Sequence, residues 1–152
     1  MALRNIYKFF ASGFLTGYWP FPGSGTFGSL ISIIAFIIIN FYIESIIVLG
    51  TIFIILLIIG FWSCGKIYNN TNPDPDYCVI DEWVGQWITI FFLPVEWFWV
   101  ISGFFMFRLL DIYKPFGIKK LEQLPYGFGI MLDDIAAGIL GSVILYIVYI
   151  II

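Results

Sequence analysis

The chain has 152 residues, of which 61% are hydrophobic and 11% charged, against roughly 25% charged in ordinary soluble domains. That balance describes a single domain, residues 1–152, that lives in lipid, with no hydrophilic stretch long enough to form a second. The formal charge is −3 and histidine is absent, which excludes phosphohistidine catalysis, Ser-His-Asp triads and imidazole metal sites. Carboxylates remain as the available ligands for any metal. The two cysteines, Cys64 and Cys78, bracket one polar loop at a spacing that matches no metal motif, and are read as reduced thiols. No cleavable signal is expected: Arg4 and Lys8 imitate its charged region, but no Ala-x-Ala-like site follows the apolar run.

Residues 1–19 carry Arg4 and Lys8 four apart among Phe9, Phe10, Phe14 and Leu15, the pattern of a short helix lying at the membrane interface. The stretch Trp19-Pro20-Phe21-Pro22-Gly23-Ser24-Gly25 is a turn-forming break. Thr26 then serves as a candidate N-cap for the apolar run Phe27 to Ile43, which is long enough to span. Glu44-Ser45 makes a tight connection, and Ile46 to Gly65 is a second span, ended by Lys66. Residues 66–78 form a polar loop whose Asp74-x-Asp76 pair is flanked by prolines and follows no strand, so it reads as loop and not as a phosphorylated nucleophile.

Ile80-Asp81-Glu82-Trp83-Val84-Gly85 opens a third apolar run, Trp83 to Val95; Pro94 and Glu96 interrupt it before a fourth, Trp97 to Phe107. Both are short against about 20 residues per span. They are tilted spans, protein-buried spans or the two arms of a re-entrant hairpin, and in each case the chain enters and leaves on one face. Arg108, Asp111 and Lys114 follow at intervals of three, and a second polar loop carries Lys119, Lys120 and Glu122. The last helix is expected from Asp134 to Ile152, with small residues at Ala137, Gly138, Gly141 and Ser142 that allow close helix approach in lipid.

The expected fold is therefore all-α: a small polytopic membrane helix bundle with an interfacial N-terminal helix, two helical hairpins and a C-terminal span. Counting crossings brings the Pro-Gly-Ser-Gly-Thr turn, Asp81-Glu82, Asp111-Lys114, Asp133-Asp134 and all seven Lys and Arg to one face, leaving Glu44 and Glu96 on the other. The positive-inside rule makes the crowded face cytoplasmic.

Asp133-Asp134 stands directly before eighteen uncharged residues. As a helix start, the pair would suit the positive end of the helix dipole. As part of a carboxylate cluster, it would need a cation, and hard oxygen ligands select Mg2+ ahead of Ca2+ or Mn2+. Mg2+ prefers the company of phosphate, which Ser24, Gly25, Thr26 and Ser29 at a helix start could meet with hydroxyls and backbone N–H groups. Arg108 and Lys114 could hold its oxygens, although Asp111 between them also reads as a local ion pair.

Pro22-Gly23…Thr26-Phe27-Gly28-Ser29, Val79-Ile80-Asp81-Glu82-Trp83-Val84-Gly85, Phe107-Arg108-Leu109-Leu110-Asp111-Ile112-Tyr113-Lys114-Pro115 and Gly127-Phe128-Gly129-Ile130-Met131-Leu132-Asp133-Asp134-Ile135-Ala136-Ala137-Gly138 together resemble, in order, the motifs of the phosphatidylglycerophosphatase A family. The resemblance implies a multi-pass enzyme of the bacterial inner membrane that removes the terminal phosphate of phosphatidylglycerophosphate with Mg2+, giving phosphatidylglycerol. On that reading Asp81, Glu82, Asp133 and Asp134 bind the metal, Arg108 and Lys114 neutralise phosphoryl oxygens, and Asp111 orients them or acts as base. Which carboxylate is base or nucleophile stays open at this point. The pattern Asp-Gly-x-x-Ala-Arg of CDP-alcohol phosphotransferases is absent. A small ion or solute transporter using the carboxylates as a cation site is the alternative, but its acids should lie at the midplane.

Overall fold

The computed structural model describes the backbone of residues 3–43 and 45–152 and the side chains from residue 6 onward; the Arg4 side chain and Glu44, which enter the topological expectation, lie outside the described residues. Among these residues there are six α-helices and two 3₁₀ segments, and no strand. The helices are α1 (Leu3–Ala11), α2 (Ser24–Tyr42), α3 (Ile46–Ile67), α4 (Ile80–Ile90), α5 (Trp97–Tyr113) and α6 (Phe128–Ile151). The all-helical bundle expected from the sequence is the fold observed.

Several helix starts differ from expectation, and glycine is the reason. Gly23 precedes α2 with φ 92°, a left-handed conformation that glycine adopts at little cost. The helix therefore begins at Ser24, and Thr26 lies exposed in its first turn instead of capping it. Gly127 does the same for α6, with φ 80°; a Cβ there would sit 2.5 Å from the Cys64 carbonyl carbon, so no other residue fits. Because α6 starts at Phe128 and not at Asp134, both aspartates fall in its second turn. A capping role is thereby excluded by position.

The third and fourth runs also move. Asp81 and Glu82 are inside the first turn of α4, and α5 runs on past Phe107 through Asp111 to Tyr113. Lys114 ends α5 in the left-handed region (φ 44°), followed by Pro115. At 1.5 Å per residue, α4 rises only about 16 Å and α5 about 25 Å, against a hydrocarbon core of about 30 Å. By contrast α2, α3 and α6, with 19, 22 and 24 residues, are long and apolar enough to cross a membrane.

α4 is instead the buried centre. Nine of its residues, from Ile80 to Ile90, are buried, and it packs on α2, α3, α5 and α6. Its closest approach is to α6: a Cβ on Gly138 would lie 2.5 Å from the Gly85 carbonyl oxygen, and one on Gly85 2.7 Å from the Asp134 carbonyl oxygen. Thr89 Oγ1 donates to the Gly85 and Gly138 carbonyls at 2.9 and 3.3 Å. On the other side Trp87 Nε1 donates to the Ser32 carbonyl of α2 at 2.9 Å. The N-terminal segment is tied to the start of α4 by the Val79 N–H, which donates to the Ala11 carbonyl at 2.9 Å, and by Trp83 Nε1, which donates to Thr16 Oγ1 at 3.3 Å.

The outward faces of α2, α3 and α6 expose Ile34, Ile38, Ile54, Ile58, Ile139 and Val143. In water such surface would drive association; against lipid it is ordinary. The chain is a membrane protein. The turns after α2 and α4 and the last turns of α6 gather at one end around a cavity of about 370 Å³ bounded by Ile43, Pro94 and Tyr149. The starts of α2, α4 and α6 and the end of α5 gather at the other.

The Gly85–Gly138 crossing leads to a stability test. Gly138→Leu meets backbone, which cannot yield as a side chain would, and is expected to cost about 1–3 kcal/mol. Thermal unfolding in detergent, followed by tryptophan fluorescence, should show a clear fall in midpoint; an unchanged midpoint would mean that α4 and α6 do not cross there.

Candidate active site

Three helix ends bring their charges into one volume. Asp81 and Glu82 come from the first turn of α4, Arg108 and Asp111 from the end of α5, Lys114 from its cap, and Asp133 and Asp134 from the second turn of α6. The three-residue spacing of Arg108, Asp111 and Lys114 puts them on one helical face. Arg108 Nη1 donates to Asp111 Oδ2 at 2.7 Å and lies 3.8 Å from Glu82 Oε1. Lys114 Nζ donates to Asp133 Oδ2, lies 2.7 Å from Glu122 Oε1 and 3.7 Å from Asp111 Oδ1. The two cations thus cross-link α4, α5, α6 and the 3₁₀ segment Pro115–Gln123. Burial alone would make the Lys114 ammonium easier to deprotonate; its hydrogen bonds to Asp133 and Glu122 outweigh this and hold it charged well above the usual lysine range.

What remains is an excess of negative charge. Asp81, Glu82 and Asp134 each offer a carboxylate oxygen, all within 4.8 Å of one another. Asp81 is 6% exposed and Asp134 3%. Asp81 Oδ1, Glu82 Oε2, Asp133 Oδ1 and Asp134 Oδ2 are buried without a hydrogen-bond partner. Converging buried carboxylates with free lone pairs repel one another and have lost hydration, and a bound hard cation relieves both costs. The donor set fits such an ion. Asp133 is set apart from this trio, because one of its oxygens is taken by Lys114.

The chemistry of this end of the bundle coincides with a family signature: the sequence profile of phosphatidylglycerophosphatase A matches residues 9–149. The chain belongs to the phosphatidylglycerophosphatase A family. It is an enzyme of the phosphoric monoester hydrolase class. Phosphatidylglycerophosphatase A of Escherichia coli is 34% identical to it, over 96% of this chain and 85% of that protein. The protein of the same name from Haemophilus influenzae is also 34% identical, over 96% and 90%. A Bacteroides thetaiotaomicron protein provisionally named a phosphatidylinositol-3-phosphatase is 34% identical over 88% of this chain and 87% of its own length. No solved structure matches.

Within this family frame the first loop can be placed residue by residue. Gly25, in the first turn of α2, abuts the carboxylates: a Cβ there would collide with Glu82 Oε1 and lie 3.4 Å from Arg108 Nη1. The positive end of α2 therefore faces the cluster. Ser24 Oγ turns away to donate to the Asp76 carbonyl at 2.8 Å, and Ser29 Oγ is buried and donates to the Gly25 carbonyl at 2.9 Å. Both hydroxyls are already engaged, and Thr26 is exposed; only Gly25 of the four reaches the charged groups.

Outside the sequence-derived set, Asp74 adjoins these carboxylates and Gln86 follows Glu82 by one turn of α4. Asp74, read as plain loop because prolines flank it, places a carboxylate oxygen within 4.8 Å of donor atoms of Cys78 and Asp81. It borders a cavity of about 400 Å³ shared with Tyr68, Glu122 and Asp133, which opens the site to the outside. The residue keeps an open outer edge, yet burial of its carboxyl behind the loop, together with the charges of Glu82 and Asp133, pushes its pKa up to about 7. Gln86, one turn beyond Glu82, is fully buried with both amide atoms unpartnered. Its position in a helical register with Glu82 was the available signal.

The unpaired state of Asp134 can be tested on the protein without metal. Asp134→Asn keeps the shape and removes one buried repelling charge, so the chelator-treated variant should unfold later than the parent, by on the order of 1 kcal/mol. A lower midpoint in a detergent melt would show that Asp134 is already compensated by protein groups.

Proposed function

We propose that the protein is a Mg2+-dependent lipid phosphatase that hydrolyses the terminal phosphate of phosphatidylglycerophosphate to phosphatidylglycerol. The observation that carries this reading is the trio Asp81, Glu82 and Asp134, each with a buried oxygen that has no hydrogen-bond partner, beside two cations at the end of a lipid-facing bundle. The names of the Escherichia coli and Haemophilus influenzae relatives supply the substrate.

Asp81, Glu82 and Asp134 would hold Mg2+, with Asp133 at the edge of the site. Bound there, the ion would supply Lewis acidity toward a phosphoryl oxygen and offset its charge. Arg108, already between Glu82 and Asp111, is placed to take a second phosphoryl oxygen, and Lys114 a third. Asp111 faces both cations, Arg108 through one oxygen and Lys114 through the other. It positions them. The backbone at Gly25 gives the phosphate a close approach that a side chain would block. In the reaction a water oxygen bonds to phosphorus as the bond to the glycerol oxygen breaks; one site carboxylate accepts the water proton and passes it to the leaving oxygen, which departs as the alcohol.

Lys66 in the last turn of α3 and Lys119 and Lys120 in the 3₁₀ segment Pro115–Gln123 lie at this end, while the turn at the opposite end carries Glu96. That asymmetry supports a cytoplasmic site in the bacterial inner membrane. Ser45→Cys should label from outside intact cells with an impermeant thiol reagent, and Lys119→Cys only after the membrane is opened, with Cys64 and Cys78 replaced beforehand. The opposite labelling would place the site on the other face.

The decisive assay is phosphate release from phosphatidylglycerophosphate by the purified protein. Chelator should abolish it and Mg2+ restore it. Asp81→Asn and Asp134→Asn should each lower turnover at least about 100-fold, some 2.7 kcal/mol of transition-state stabilisation, whereas Glu96→Gln stays near the parent rate. Full turnover in excess chelator would end the metal reading. Since one relative carries a phosphoinositide name, phosphatidylinositol 3-phosphate belongs beside the first substrate, and faster release from it would reassign the head group.

A further inference from the structure

Asp81 belongs to two groups of donors. One is Asp81, Glu82 and Asp134; the other is Asp74, Cys78 and Asp81, whose donor atoms also lie within 4.8 Å of one another. From this we infer that the site holds two divalent cations, with Asp81 shared between them and Asp74 the main additional ligand of the second. The inference rests on the cation reading of the site, but not on the identity of its substrate.

Charge balance points the same way. Of the seven carboxylates gathered here, Glu82, Asp111, Glu122 and Asp133 contact Arg108 or Lys114, while Asp74, Asp81 and Asp134 stand beside them without such a contact. One divalent ion leaves a substantial negative excess, and a second nearly cancels it. Unused lone pairs are present as well. Asp81 Oδ1 and Asp134 Oδ2 are buried and unpartnered on side chains that are themselves more than nine-tenths buried. A carboxylate has two oxygens and can serve two ions, and metal pairs in phosphoryl-transfer sites stand about 3.5–4 Å apart, a span that fits donor groups sharing one residue.

Asp74 is held where the second ion needs it. Pro73 and Pro75 restrict its backbone, the Cys78 N–H donates to the Pro75 carbonyl at 2.7 Å, and Ser24 Oγ ties the neighbouring Asp76 carbonyl to α2. The cavity beside Asp74 leaves room for the waters that hard cations retain. The Cys78 thiol, 3.6 Å from Cys64 Sγ, borders this position. The carboxylate oxygens at both positions suit Mn2+, a hard ion like Mg2+ and a paramagnetic one.

Mn2+ is therefore the probe. Chelator-stripped protein in detergent, with reductant and without substrate, is titrated with Mn2+ by calorimetry and by electron paramagnetic resonance. The parent should bind two Mn2+ per chain, and the six-line signal of isolated Mn2+ should broaden as the second ion couples to the first. Asp74→Asn, a change on an exposed loop, should bind one Mn2+ with the isolated signal retained. Asp81→Asn should weaken both positions by at least about tenfold, which is ~1.4 kcal/mol each. A parent that binds one ion, or an Asp74→Asn protein that still binds two coupled ions, overturns the second position while leaving the first. A parent that binds none overturns the cation reading altogether, whatever the phosphatase assay shows. The signal of the parent is informative even if a variant fails to fold.

Discussion

The contact of α4 with α6 at Gly85 and Gly138 is the constraint on which the site depends. Two helices approach closely only where neither carries a side chain, and here the Gly138 Cα faces the Gly85 carbonyl with no room for a methyl group. That approach sets Asp81 and Glu82, one turn before Gly85, beside Asp134, one turn before Gly138. Thr89 closes the contact by donating to both carbonyls. Packing of small residues in the apolar part of the bundle thus dictates the distance between charges at its end.

The charged end stores the opposite kind of energy. Close packing along α2, α3, α4 and α6 favours folding, while the carboxylates of Asp81, Glu82 and Asp134 oppose it, because they share a dry volume with few partners. Arg108 and Lys114 relieve only part of this. The residual repulsion is the physical basis for reading the site as one that binds cations. The left-handed backbone of Lys114, a conformation costly for a residue with a Cβ, ends α5 where the ammonium can reach Asp133 and Glu122. Local strain is offset by ion pairing there.

A single helix length explains why α4 was hard to interpret from the sequence. Its apolar run ends at Pro94, too short to span, and a short apolar run can be tilted, re-entrant or enclosed. The structure shows enclosure: Trp87, Val84 and Ile80 are buried by neighbours on several sides. Periodicity cannot show this, since a helix surrounded by protein and one surrounded by lipid are apolar all round in the same way.

The sequence by itself determined the class of fold, the ends at which charges collect and the motifs of the family. Each follows from local information: the length of an apolar run, the three-residue spacing of Arg108, Asp111 and Lys114, and residues at defined intervals around Asp81 and Asp133. Only the tertiary structure decided which of those charges meet. It moved Asp133 and Asp134 from a cap into the second turn of α6, because Gly127 can start the helix six residues earlier than the acids suggested. It left Ser24 and Ser29 with other partners and retained Gly25, since a missing side chain has no signature of its own until Glu82 is seen against it. It also brought in Asp74, whose flanking prolines announce a loop, while the path of that loop over α4 depends on contacts with residues distant in the chain.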